Sequence, residues 1–320
     1  MTIRTRRRAP LRSRLLGGAS AIVLAGALGM PLAAYADEAP SFNLEIGGGY
    51  DSYSKDSDSY APEFTPLDSV GRANEGFNGF IAGTFRPGSM PYNFSGHVTY
   101  GRASTESFST SYSSAKYAAD ASDEQDEHYI LADLQVGRDI GLGGAARGTV
   151  SVGVRDANYQ TDSLVSFSTS SKYGGQSASL PGKVQALVPG ADFSTTGTIS
   201  RSFSGLGPIV SMHVESPFSG RMGDMGFSFE GDVFVSVLFG DAKVDFSLPG
   251  SPADRSENHT VTDFGVSLAL AWRPGDGPFR IKVGYRAEGL SDVLDGGFTS
   301  ARDSSRYMDG PFASVVWRFP

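Results

Sequence analysis

Charged residues in this chain fall on alternate positions of otherwise apolar runs, which places them together on one face of a β-strand. Arg280, Lys282 and Arg286 interleave with Phe279, Ile281, Val283 and Tyr285, and Glu230 and Asp232 interleave with Phe227, Phe229, Val233 and Val235. Between the two segments runs a third, in which the small residues Gly265, Ser267, Ala269 and Ala271 alternate with Phe264, Val266, Leu268, Leu270 and Trp272. Strands two apart in a sheet are separated by about 9 to 10 Å, so the opposed charges could face each other over this low row. In a wide lumen such rows stay hydrated and select solutes by charge, whereas in a narrow one they close into salt bridges and plug it. With Glu45 and Arg318 from the first and last strands, the candidate pore-lining set is Arg280, Lys282, Arg286, Glu230, Asp232, Arg318 and Glu45.

Other chemistry is sparsely signalled. Gly141-Leu142-Gly143-Gly144-Ala145-Ala146 fits a dinucleotide-binding spacing, but the alternation Thr149, Val150, Ser151, Val152 follows it instead of a helix, so it reads as a turn and no cofactor is expected. His97, His128, His213 and His259 sit on four separate segments without metal-ligand spacing. The acidic groups Asp56/Asp58 and Asp123, Glu124, Asp126, Glu127 keep no EF-hand order and read as solvated loop charge, so no metal site is assigned. His213 or His97 could meet a serine or a carboxylate across a lumen, yet spacing alone assembles no nucleophile, base and orienting group, and no enzyme is expected.

The elements that position these residues repeat along the chain. Strands are expected near 41-50, 76-86, 92-101, 128-138, 145-155, 203-215, 226-239, 262-273, 279-288 and 311-319, with Tyr129 out of phase with Ile130, Ala132, Leu134 and Val136. The connections alternate. Pro87 to Pro91, Ile140 to Gly144, Ser216 to Asp224 and Pro274 to Gly277 are short turns; 51-75, 102-127, 156-202, 240-261 and 289-310 are long and rich in Ser and Asp. Aromatic residues gather at the ends of the oily rows: Phe42, Phe85, Tyr92, Trp272, Phe279, Trp317 and Phe319 at one rim, and Tyr50, Phe77, Tyr100, Phe239, Phe264 and Tyr285 at the other. Short turns, long loops and two aromatic girdles predict an all-β fold, a transmembrane antiparallel up-and-down β-barrel of about ten strands. Eight or twelve strands remain open, because 156-202 has room for a hairpin around Val188-Pro189-Gly190.

Residues 1-36 read as a cleaved signal peptide: six arginines, a mostly apolar stretch from Leu15 to Leu32, and Ala34-Tyr35-Ala36 before Asp37. Residues 37-320 form the expected barrel domain. Removing the six arginines from 27 basic residues leaves 21 against 35 acidic ones, a net charge of −14 that disfavours nucleic acid as a partner. With no cysteine, neither disulfides nor thiolate metal sites are available. Together these features place the chain in the outer membrane of a Gram-negative bacterium, with membrane lipid as its surroundings.

Ser204-Gly205-Leu206-Gly207-Pro208, Gly226-Phe227, Leu238-Phe239-Gly240, Val283-Gly284-Tyr285-Arg286 and Met308-Asp309-Gly310-Pro311-Phe312 resemble the Legionella major outer membrane protein-like family over roughly the last 120 residues. The resemblance implies an outer-membrane pore, with surface adhesion a further role in some members. Barrel precursors usually present a terminal aromatic residue to the barrel-assembly machinery; here Phe319 is followed by Pro320. The expected function is passive diffusion of ions and small hydrophilic solutes. Acidic loop residues such as Asp51, Asp56, Asp58, Glu63 and Asp68 outweigh Lys55 and Arg72, which predicts modest cation preference. The alternative is a closed barrel whose external loops serve adhesion or interaction. Oligomeric state is not legible.

Overall fold

The computed structural model describes residues 39–55, 74–88, 90–104, 108–113, 117–171, 193–247, 254–275, 277–294 and 304–320. The expected signal peptide and the possible hairpin at 188-190 lie outside the described residues.

Eleven strands form one sheet: β1 (Ser41–Lys55), β2 (Asn74–Arg86), β3 (Tyr92–Ser104), β4 (Phe108–Ser113), β5 (Tyr117–Gly141), β6 (Arg147–Ser171), β7 (Phe193–Pro217), β8 (Phe227–Phe246), β9 (Arg255–Trp272), β10 (Phe279–Leu294) and β11 (Ser304–Phe319). Every pairing is antiparallel between chain neighbours, apart from the β3–β5 pairing and the β1–β11 pairing that closes the ring. β4 continues the position of β3 beside the outer part of β5, so the barrel has ten staves. A closed ring leaves no unpaired edge in the hydrocarbon, the condition for a sheet to cross a bilayer.

Side chains alternate as the sequence implied. Ile46, Ile81, Val98, Leu134, Val154, Val233, Val235, Val266, Leu268 and Val283 point out and are exposed, forming the lipid belt. Tyr129 is out of phase because it faces inward, where it is buried; Ile130 and Leu134 face out. Aromatic rings rim this belt. Phe42 stacks on Phe319 with centroids 6.0 Å apart, Phe227 stacks on Trp272 at 6.1 Å, and Tyr50 meets Phe77 edge-on at 5.6 Å. Across β5 to β7 the girdles give way to aliphatic residues such as Ile130 and Leu206.

Turns close the short-loop end. Between β5 and β6 the chain reverses through Gly143 and Gly144, at φ of 93° and 60°, conformations that favour glycine, and Ala146 N–H donates to the Gly143 carbonyl. The β7–β8 connection carries the single helical turn among the described residues, α1 (Arg221–Asp224). By the loop asymmetry of outer-membrane barrels, this end is periplasmic.

All ten expected strands are present, but most run further toward the external end than the sequence reading gave. β5, β6 and β7 have 25 residues each, where about ten suffice to cross a membrane. Much of the expected loops 102-127, 156-202 and 240-261 is therefore sheet that rises from the membrane. Outside the bilayer the outer face meets polar surroundings, and Asn158, Gln160 and Asp162 point out next to Ser200, Ser202 and Ser204. Ser200 donates to Asp162 at 2.6 Å across this outer face.

Candidate functional site

The interior has two layers. On the external side Tyr53, Tyr129, Tyr159, Phe203, Leu131, Leu238, Val261, Leu290 and Met308 face inward, all buried to 2% exposure or less. The Tyr129 and Tyr159 rings stack with centroids 6.3 Å apart. Tyr159 donates to Glu127, which also meets Arg306 at 3.4 Å. Loss of hydration pushes the Tyr159 hydroxyl well above its ordinary range, keeping it protonated as a donor. This layer is a packed plug rather than a channel.

Glycines make room for it. Gly101 is the register partner of Tyr129, and a Cβ on that glycine would collide with the tyrosine ring. The same holds for Gly47 opposite Phe80, Gly265 opposite Phe234 and Gly284 opposite Phe312. Each ring lies flat against the wall over a residue without a side chain, filling the lumen from its perimeter.

Beneath the plug lies a cavity of about 360 Å³. Its roof is Phe80, Phe234, Phe312, Arg155 and Arg286; lower down it is lined by Glu45, Asn93, Ser95, His97, Gln135, Ser151, His213, Glu230, Asp232, Ser267, Arg280 and Lys282. Asp232 shares its phase with the buried Ser228, Glu230 and Ser236 and so points inward, yet its side chain is 48% exposed. Solvent therefore enters from the periplasmic end and stops at the plug.

Of the seven residues singled out from sequence, six line this chamber; Arg318 lies exposed at the periplasmic end of β11. The rows pair across the low wall of β9 much as their spacing suggested. Arg280 reaches Glu230 at 2.7 Å and Glu215 at 2.8 Å, and Lys282 reaches Glu45 at 2.8 Å and Glu230 at 3.3 Å. The rows close into salt bridges, as expected of a narrow lumen, but at their level they line a cavity instead of plugging it. Asp232 pairs instead with His213, 2.7 Å from Nδ1, and accepts from Ser267 at 2.9 Å. Arg286 turns upward to Asp51 at 3.0 Å and donates to the Tyr129 hydroxyl at 3.2 Å.

A hub missing from the sequence reading sits at the boundary between the layers. Arg155 touches Asp133 at 3.5 Å, Asp263 at 2.6 Å and Glu288, and its guanidinium lies 4.4 Å from the centre of the Phe234 ring. It ties β5, β6, β9 and β10 together across the lumen. The inward phase of Arg155, Asp133 and Glu288 was legible, but their convergence depends on barrel radius and stagger. His97 lies 3.6 Å from Asp133 and meets the Thr99 hydroxyl at 3.1 Å, so both lumen histidines are held by carboxylates.

A closed ten-strand antiparallel ring with an outward apolar belt, aromatic rims and a polar, charge-paired interior defines an outer-membrane β-barrel protein. No family model and no curated protein matches the chain. Among solved structures, the outer membrane protease OmpT from Escherichia coli is similar in architecture, with TM-score 0.48 and 10% identity over 90% of this chain and 99% of that one. A major outer membrane protein from Thermus thermophilus gives 0.31 and 14% over 88% and 100%, and the attachment invasion locus protein Ail of Yersinia pestis gives 0.29 and 11% over 88% and 100%. Likeness at this level concerns barrel architecture and transfers no activity.

Proposed function

We propose that this protein is a closed outer-membrane barrel that acts through its external sheet, as a surface adhesion or interaction platform. The observation that carries this reading is the plug: the inward side chains from Tyr53 to Met308 form a buried layer, each at 2% exposure or less, on the external side of the chamber. The emergent parts of β5 to β9 supply the platform, a stiff hydrogen-bonded wall whose outward face carries Asp126, Asp162, Ser200, Ser202, Asp241, Lys243, Asn258 and Thr260. A second reading, the passive diffusion pore, draws on the chamber itself. It requires the Tyr129–Tyr159 layer to part, and any cation preference would then come from the acidic residues of the external loops, since carboxylates and Lys/Arg balance in the chamber lining.

Single-channel recording of the purified barrel in planar bilayers separates the two. The native protein should show no regular conductance steps, while Tyr129→Ala combined with Phe203→Ala should open measurable ones. Steady conductance from the native protein would overturn the closed reading, and reversal potentials across a KCl gradient would then test its cation preference.

A further inference from the structure

We infer that the β7–β8 connection is an interfacial anchor whose partner is the periplasmic leaflet of the membrane, with Phe218, Met222 and Met225 seated among lipid beside the girdle. This goes beyond the role of the external sheet and does not depend on it. Three of the four short connections reverse the chain in five or six residues, 87–91, 142–146 and 273–278. The fourth takes nine, from Phe218 to Gly226, and includes α1. Reversal alone does not require that length.

Its large apolar side chains are exposed as a block: Phe218 is 37% exposed, Met222 44% and Met225 47%. The two methionines are three apart and share one face of α1 and its cap. Arg221 and Asp224, also three apart, share another and cancel in charge.

The contacts put this block on the lipid side. Phe227 is the register partner of Trp272 and stacks on it, both in outward phase, and the Phe218 N–H donates to the Phe227 carbonyl at 3.1 Å. Trp272, a girdle residue, donates from its indole nitrogen to the Met225 carbonyl at 3.1 Å. That bond draws the second half of the connection against the outer wall at the height of the lipid headgroups, where an amphipathic indole ring settles. Two glycines fix the path. Gly226 has φ 81°, and a Cβ there would lie 2.2 Å from the Arg273 carbonyl oxygen; one on Gly223 would lie 2.0 Å from that of Phe218. The Gly226 N–H donates to the Gly223 carbonyl at 2.8 Å, and the Gly226 carbonyl accepts from the Arg273 N–H at 3.0 Å. Backbone groups next to the belt are thus paired, as an element poorly reached by water requires. The block is continuous with the lipid belt, and the occupant of one is the occupant of the other. Its position also has a mechanical consequence. It lies under β7 and β8, two of the four longest strands, and so holds the barrel on the side where the external wall adds leverage.

Site-specific fluorescence on the full-length barrel refolded into phosphatidylcholine vesicles tests this, and the absence of cysteine lets single variants be labelled cleanly. An environment-sensitive dye on Met222→Cys should emit to the blue. A lipid carrying a nitroxide near its glycerol should quench it about threefold more than the same dye on Asp224→Cys, as expected of an apolar face buried at the headgroup boundary. Iodide on both sides of the bilayer should reverse that order. Met225→Cys is a second reporter with the same expected result as Met222→Cys, and heat-shifted gel migration confirms that each variant is folded. A dye at Met222 and Met225 as open to iodide as the one at Asp224 would overturn the anchor. So would a dye shielded from both iodide and the nitroxide lipid, the mark of a protein partner or a second copy on this surface.

Discussion

Arg155 is the sharpest test of the interior as described. Its guanidinium is 3% exposed and faces three carboxylates, so replacing it with methionine, of similar length but without charge, leaves Asp133, Asp263 and Glu288 clustered and uncompensated. Removing one partner of a buried ion pair costs about 3 to 5 kcal/mol. The lower half of that range is expected: Asp133 keeps His97 at 3.6 Å and Gln135 at 2.8 Å, and Glu288 retains some exposure, so only Asp263 is stranded outright. Asp263→Asn should cost less than Arg155→Met, because two carboxylates still hold the guanidinium. Urea unfolding in detergent micelles, followed by tryptophan fluorescence and gel mobility, measures both. Repeating Arg155→Met at pH 4 should shrink its penalty as the stranded Asp263 takes up a proton. A loss below about 1 kcal/mol at pH 7, or a penalty that grows on acidification, would refute the hub, since a buried cation with three partners is not removed so cheaply.

Two further perturbations probe facing and packing. Val235→Arg and Leu268→Arg put charge on the lipid belt and should each cost about 2 to 4 kcal/mol in vesicle unfolding, whereas Ser267→Arg, which opens into the chamber, should cost clearly less; equal effects would invalidate the inside and outside assignment. Gly101→Ala drives a methyl into the Tyr129 ring and should destabilise by about 1 to 3 kcal/mol. Gly79→Ala, whose added carbon meets nothing nearer than the Gly47 carbonyl oxygen at 3.9 Å, should stay within about 0.5 kcal/mol, and the same unfolding assay checks the pair.

The strands were legible wherever one face meets lipid. In β9 and β10 the rows Phe264 to Trp272 and Phe279 to Tyr285 carry a clean period of two, and their expected limits hold at the periplasmic end. The signal fails above the bilayer for a physical reason. Along β6 beyond Tyr159, outward Gln160 and Asp162 alternate with inward Thr161 and Ser163, polar on both sides, so the pattern that marks a half-buried strand disappears while the hydrogen-bonded ladder continues. The paired charges of Glu230, Arg280 and Lys282 were readable from strand spacing alone. The plug was not, because an aromatic residue on a barrel strand reads first as a girdle member. The available signal was the inward glycine: Gly101 against Tyr129, Gly47 against Phe80, Gly265 against Phe234. It is visible only once register is known, and register follows from turn lengths that sequence fixes loosely.

Ten strands do not by themselves decide whether a barrel is open, since about eight fill with side chains and many more leave a channel. Here the size of the inward residues decides it, layer by layer. At chamber height Ala82, Ser95, Ser151, Ser211 and Ser267 are short, and the longer Glu45, Glu230, Arg280 and Lys282 are drawn into ion pairs with one another, which leaves room for water. One layer up, Phe80, Phe234 and Phe312 narrow it, and above them Tyr53, Tyr129, Tyr159 and Phe203 close it. The same backbone ring is thus hollow below and solid above, and the crossover coincides with Arg155 and Arg286, whose charges are neutralised at the last level that solvent reaches. A solid layer there also explains how 25-residue strands stand clear of the membrane without lipid against either face. They are clamped at the base by cross-lumen packing and ion pairs, and adjacent-strand hydrogen bonding carries that stiffness outward. Widening the plug should therefore do more than admit ions: it should loosen the sheet that stands on it.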